Sequence, residues 1–232
     1  MTRPRGCFVT GTDTGVGKTL VACAIVRGLR RRGLDVGVMK PVETGVGAAG
    51  PLDARALREA AGVDDPLEDV CPQRFALPAA PAVSAVHEGS AVDLAQLDAA
   101  FERLAAHHEY LLVEGAGGLL VPVTAELSMA GLAARWELPL IVVARARLGT
   151  INHTRLTLEV ARGRGLAIAG LVLSHADGPT SPADAANLRA LREDPGVRLL
   201  GEIPPLAPGA LPSDDALDLA GLATEVGPAA RG

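Results

Sequence analysis

Five short stretches of the chain carry side chains that could bind or redistribute charge. The first is "GTDTGVGKT", Gly11 to Thr19, which ends in Gly17-Lys18-Thr19. Gly15 and Gly17 let backbone N–H groups close on an anion. Lys18 supplies a positive charge for outer phosphates, and Thr19 a hydroxyl for Mg²⁺. A standard phosphate loop has four residues between its first glycine and the Gly-Lys-Ser/Thr end. Here Gly11 and Gly17 are separated by five: Thr12, Asp13, Thr14, Gly15 and Val16.

The second stretch is "KPVETG", in which Lys40 ends an otherwise apolar run. A lysine at a strand end can simply snorkel to water; beside a phosphate loop it becomes a second contact to phosphate or to a transition state. Thr44 and Gly45 follow with a hydroxyl and backbone groups for a polar substrate. Asp53 opens a helix and by itself reads as an N-cap. The third stretch, "YLLVEGAGG", has apolar residues ending in Glu114, like a Walker B segment with Glu for Asp. Such a carboxylate suits Mg²⁺, which takes few carboxylates and keeps waters. A buried Glu without a partner would be too costly to be a structural accident. Gly115, Gly117 and Gly118 leave room for a ligand. In the fourth, "ARARLGTINHT", Gly149 and Thr150 open a helix whose free N–H groups suit a carboxylate, or else form a plain turn and cap. His153 has no partner at metal-ligand spacing and reads as a polar helix residue. The fifth runs from Ser174 to Asp177. No Ser-His-Asp or Cys-His arrangement is suggested.

Each stretch follows an apolar run, and that dictates the architecture. Strands are predicted at 7–11, 35–40, 110–115, 139–144, 166–174 and 199–203, and helices near 17–32, 53–61, 93–107, 126–136, 151–163, 183–193 and 214–225. Near-continuous apolar strands separated by helices imply one α/β domain, a mostly parallel sheet flanked by helices on both faces. The domain is expected to span residues 1–226, with 227–232 as a frayed tail. The Pro- and Ala-rich region 62–92 reads as a long irregular connection. In such sheets ligands bind outside the carboxyl ends of the strands, which is where the five stretches fall.

Bulk composition agrees. The 232 residues suffice for a substantial core, and with 48% hydrophobic, 21% charged and only 2% aromatic residues that core must be Ala, Val, Leu and Ile. A net charge of -5 offers no basis for sequence-independent nucleic-acid binding. Arg30 to Arg32 end a predicted helix, where cations suit the dipole. Cys7, Cys23 and Cys71 lack metal-ligand spacing; Cys7 and Cys23 read as small buried hydrophobes, which fits a reducing cytoplasm. Neither a signal peptide nor a stretch of roughly 20 apolar residues that could span a membrane is expected.

Taken together, "VTGTDTGVGKT", "KPVETG", "VEGAGGLLVP", "LGTINHT", "GLVL" and "LLGEIP" resemble the dethiobiotin synthetase family of the P-loop NTPase superfamily. They occur in order from Phe8 to about Leu206, and the five-residue interval in the phosphate loop is the family's own pattern. The resemblance implies a cytoplasmic homodimer and an ATP- and Mg²⁺-dependent ligase of biotin biosynthesis, with ATP as co-substrate. Its reaction joins 7,8-diaminopelargonic acid and CO₂ into a cyclic urea, releasing ADP and phosphate. Lys18 and Lys40 would be catalytic, and Thr19, Asp53 and Glu114 would hold Mg²⁺. Nucleotide contacts would come from Thr14, Gly15, Val16, Gly17, Lys18, Thr19 and Leu20. Further ones would come from Asp53, Glu114, Gly115, Ala116 and Gly117, and from Ser174, His175, Pro204, Pro205 and Leu206 at the base. Thr44 and the helix start at Gly149, Thr150, Ile151 and Asn152 would bind substrate, the latter from across the dimer. Ser174 and His175 stand where well-known members carry an Asn-Asp pair that reads adenine, and Gly15 where some carry Glu.

Two other classes are weighed against this one. A glutamine-dependent amidoligase of the cobyrinate type needs a further domain that a chain of 232 residues cannot hold beside one sheet. A partition-type ATPase needs a signature lysine where Asp13 stands.

Overall fold

Along β1 (Arg5–Gly11) successive side chains enter two different apolar layers, as the two-residue period of a strand requires. Phe8 packs in one layer with Leu111, Val113, Leu140 and Val142; Cys7 and Val9 pack in the other with Val36, Val38, Leu112 and Ile141. A strand buried on both faces must be apolar throughout, which is why these runs show no polar alternation.

The computed structural model describes residues 5–176, 178–207, 210–213 and 215–224. After β1 come α1 (Lys18–Arg31), β2 (Val36–Met39), β3 (Val42–Thr44), α2 (Leu52–Ala61), α3 (Leu67–Val70), β4 (Gln73–Phe75), α4 (Pro81–His87) and α5 (Leu94–His107). Then follow β5 (Tyr110–Gly118), α6 (Met129–Arg135), β6 (Leu140–Arg145), α7 (Thr150–Gly163), β7 (Ile168–Ser174), α8 (Pro182–Glu193), β8 (Leu199–Ile203) and α9 (Ala220–Thr224). Six strands form one sheet in the order β2-β5-β1-β6-β7-β8, and their pairings are parallel. Helices α1 and α2 cover one face; α5, α6, α7 and α8 cover the other. β1 lies at the centre, between β5 and β6, so the loop after it is flanked by the ends of both.

The predicted strands of this sheet match to within two or three residues. Three other expectations need correction. Region 62–92 is not irregular: it holds α3, β4 and α4, and β4 pairs in parallel with β3 as a separate two-stranded sheet. These elements are too short to show a period, and tertiary bonds hold them, such as Gln73 exchanging hydrogen bonds with the backbone of Asp93. The helix expected at 126–136 starts only at Met129, because the Thr124 hydroxyl accepts from the N–H groups of Glu126 and Leu127 and Ser128 caps the helix. The helix expected at 214–225 is shortened to α9. Before it, Leu217 bridges Gly201 and the N–H of Asp218 donates to Leu200, extending the edge of β8. Residues 1–4, Asp177, Pro208, Gly209, Asp214, Glu225, Val226 and the tail 227–232 lie outside the described residues, and with them the expected domain boundary.

Candidate active site

The loop between β1 and α1 forms the floor of the site. Gly17 is the N-cap of α1 at φ 87°, and a Cβ there would stand 2.6 Å from the Ser174 hydroxyl, so only glycine fits. Lys18 is buried, and its ammonium donates to the carbonyl of Asp13 at 3.3 Å. Burial, with the charge of Lys40 adding to it, pulls the Lys18 pKa down to about 8. The Asp13 carboxylate accepts from the N–H of Thr14 at 2.7 Å, fixing the outer rim of the loop.

On the β5 side, Glu114 is fully buried. The β1–β5 register shifts between Val9 and Gly11, where Glu114 to Gly118 bulge outward. Gly115 is required within that bulge, since a Cβ would meet the Phe8 ring at 2.7 Å. Glu114 Oε1 accepts from the Thr19 hydroxyl at 2.9 Å and from the Lys40 ammonium at 2.5 Å. Lys40 also meets Asp53 Oδ2 at 2.9 Å and the Gly115 carbonyl at 3.4 Å. Burial works against a charged Lys40, but Glu114 and Asp53 outweigh it and hold its pKa above the ordinary lysine value. Burial likewise opposes ionised Asp53, and Lys40 outweighs it, so Asp53 titrates below the usual range.

Of the two readings of Lys40, snorkelling to water fails, since only 3% of it is exposed. One sequence expectation changes here. Asp53 is not the cap of α2: Pro51 holds that position without a side-chain bond, and Asp53 lies in the first turn with its carboxylate on Lys40.

Glu114 Oε2 is buried and has no hydrogen-bond partner among the described residues. An orphaned carboxylate oxygen beside a threonine hydroxyl, with an Asp53 side chain 42% exposed nearby, fits a Mg²⁺ ion that takes its other ligands from phosphate and water. Among the described residues no group of three or more His, Cys, Asp or Glu forms a complete metal cage.

The remaining predicted residues divide. Thr14, Gly15, Val16 and Leu20 belong to the loop and to α1, while Ala116 and Gly117 continue the β5 bulge. Thr44 ends β3, on the segment that leaves Lys40. Ser174 is buried with its hydroxyl against Gly17, so it backs the phosphate loop. The His175 ring pairs with Glu202 at 3.2 Å, and Glu202 also accepts from Arg192. Pro204 and Pro205 are exposed beyond β8 and Leu206 is half-buried. Gly149, Ile151 and Asn152 line a concavity of about 550 Å³ along α7, shared with Leu148, Arg155, Leu156, Glu159 and Asn187. No phosphate-loop residue lines it. Thr150, beside it, is buried with its hydroxyl unpartnered among the described residues.

Two residues inside the quoted stretches were given no role by the sequence reading. Arg145, ending β6, donates to the Thr14 carbonyl at 2.7 Å and so braces the loop from the other side. It carries the same signal as Lys40, a cation ending an apolar strand. Glu43 is buried, and its carboxylate accepts from the N–H groups of Asp53 at 3.1 Å and Ala54 at 3.0 Å. An acid within the short apolar "PVE" run was the available sign.

Comparison with known proteins gives this arrangement a context. A family model described as an AAA domain matches residues 5–210. ATP-dependent dethiobiotin synthetase BioD of Anaeromyxobacter dehalogenans (strain 2CP-C) is 53% identical over 206 residues, 88% of this chain and 92% of that relative. The chain belongs to the dethiobiotin synthetase family. Relatives of the same name from Aromatoleum aromaticum and Aquifex aeolicus are 42% and 38% identical, over 94% and 89% of this chain and 98% and 92% of theirs. Among solved structures, the signal recognition particle receptor FtsY from Elizabethkingia anophelis in complex with GDP aligns with a TM-score of 0.54 at 16% identity, over 94% of this chain and 60% of that one. The Aquifex aeolicus MinC:MinD complex aligns with 0.52 at 12% identity, over 87% and 82%. At such identities the likeness is one of fold alone, that of a P-loop sheet. Among the described residues no helix is long and apolar enough to cross a membrane.

Proposed function

We propose that the chain is an ATP- and Mg²⁺-dependent ligase that closes 7,8-diaminopelargonate and CO₂ into the cyclic urea of dethiobiotin. The observation that carries the reading is the meeting of Lys18, Thr19, Lys40, Asp53 and Glu114 at one sheet edge, two buried cations beside two acids. One amine adds to CO₂ and loses a proton, giving a carbamate. A carbamate oxygen attacks the γ-phosphorus and ADP leaves. The second amine attacks the carbonyl carbon, phosphate departs, and the ring closes as that amine gives up its proton. Lys18 and Lys40 stand to stabilise charge on the carbamate and phosphoryl oxygens. Mg²⁺, held by Thr19, Asp53 and Glu114, would neutralise the outer phosphates. Little acid–base machinery is needed, since orienting the reactants carries much of the rate.

Thr14 to Leu20 and Gly115 to Gly117 are taken to cradle the nucleotide, with Ser174, His175 and Pro204 to Leu206 on the base side. Thr44 would bind substrate. The α7 start at Gly149 to Asn152 would take the substrate carboxylate in a homodimer, each site completed by the partner. Leu148 and Leu156, 74% and 56% exposed on that face, support an apolar contact with a second copy. The reading places the ligase in the cytoplasm, with residues 1–226 as one domain. The test is incubation with diaminopelargonate, bicarbonate, Mg²⁺ and ATP, GTP or CTP in parallel. A product heavier than substrate by a carbonyl less two hydrogens is expected; its absence with every triphosphate sinks the reading.

A further inference from the structure

We propose that Glu43 is a positioning residue for the cation-binding edge: it grips the first turn of α2 and thereby aims Asp53 at Lys40 and at Mg²⁺. The inference rests on the Mg²⁺ reading above. A helix start has N–H groups with no intrahelical acceptor, usually satisfied by a Ser, Thr, Asp or Asn at the N-cap. α2 lacks such a cap, having Pro51 there without a side-chain bond. The acceptor comes from another element, β3, and is bidentate: Oε1 receives the N–H of Asp53 and Oε2 that of Ala54.

Burying a carboxylate there is costly unless both oxygens are bonded, and a second acid, Asp53, lies close by. A helix that needed only stability would be served by a local cap. The arrangement found instead fixes the backbone of the one α2 residue whose side chain reaches Lys40, at 2.9 Å. Glu43 also adjoins Thr44, so the same grip holds the β3 end that carries this hydroxyl. Gln cannot replace it fully, because an amide offers one acceptor oxygen and turns N–H donors towards the other N–H.

The experiment measures ATP binding by calorimetry across a Mg²⁺ series, alongside thermal unfolding, for wild type, Glu43→Gln, Glu43→Ala, Asp53→Asn and Leu57→Val. Leu57 is a fully buried α2 residue whose side chain packs in the apolar core, so its variant reports helix stability alone. Glu43→Gln and Asp53→Asn should each raise the Mg²⁺ concentration for half-maximal binding at least threefold, and Glu43→Gln should leave binding without Mg²⁺ unchanged. Leu57→Val should lower the unfolding midpoint and leave the Mg²⁺ requirement alone. If Asp53→Asn shifts the requirement and Glu43→Gln does not, the Glu43 proposal is wrong and the metal reading stands. If Asp53→Asn shifts nothing, both fall. Should Glu43→Ala fail to fold, Glu43→Gln, with one bond kept, decides.

Discussion

Lys40→Met separates what this lysine does for the fold from what it does for the reaction. The substitution keeps most of the stem and removes the ammonium. Lys40 is 3% exposed and Glu114 not at all. After the change, Glu114 Oε1 retains only the Thr19 hydroxyl, and Oε2 has no partner among the described residues to begin with. Breaking a buried ion pair by removing one partner costs about 3–5 kcal/mol. Asp53, half out of the protein, can turn to water and adds little. At about 2–4 °C per kcal/mol for a chain of this size, the unfolding midpoint should fall by roughly 6–20 °C. Turnover should fall about 10²–10³-fold, the typical loss for one preorganised charge donor. Scanning calorimetry and the product assay measure the two effects. Lys40→Met/Glu114→Gln should recover most of the stability, since the stranded charge is gone, and none of the turnover. A single variant that melts within about 2 °C of wild type would refute the reasoning, because Glu114 would then not depend on Lys40. So would a double variant no more stable than the single one.

Two further outcomes are expected. His108 bridges Asp35 at 3.0 Å and Asp65 at 2.9 Å; burial lowers its pKa, but the two acids outweigh burial and raise it above 6.5. Its stabilising contribution, about 1–2 kcal/mol, is therefore full below pH 6.5 and lost as the pH climbs through the raised value. Urea unfolding of His108→Gln should differ from wild type most at low pH, and an equal difference at pH 6 and 9 would contradict this assignment. Gly17→Ala puts a Cβ 2.6 Å from the Ser174 hydroxyl at φ 87°, adding about 1–2 kcal/mol of backbone strain. ATP affinity by calorimetry should drop about tenfold or more, and adding Ser174→Ala should return part of it.

The sheet and the phosphate loop could be read from the chain because both are local patterns. Apolar runs of five or six residues alternate with helical ones, and "GVGKT" fixes a strand-to-helix turn by its glycines alone. The elements between 62 and 92 could not be read this way: β4 exists only because β3 pairs with it, and three residues carry no period of their own. The site divides along the same line. Residue type and position at or after a strand's carboxyl end were enough to mark Lys18, Thr19, Lys40 and Glu114, but not to say what each touches.

The sequence by itself determined that charge-bearing groups gather at the carboxyl edge of a parallel sheet, since strand order and direction oblige every such loop to open there. Only the tertiary structure decided the pairings. Lys40 and Glu114 stand 74 residues apart in the chain and 2.5 Å apart in space. Ser174 turned out to back Gly17, Asp53 to serve Lys40 instead of capping its own helix, and Glu43 to cap it from another strand. Hydrophobic periodicity reports which side of an element is buried. A hydrogen bond between distant elements depends on ångström-scale distances that no short-range pattern encodes.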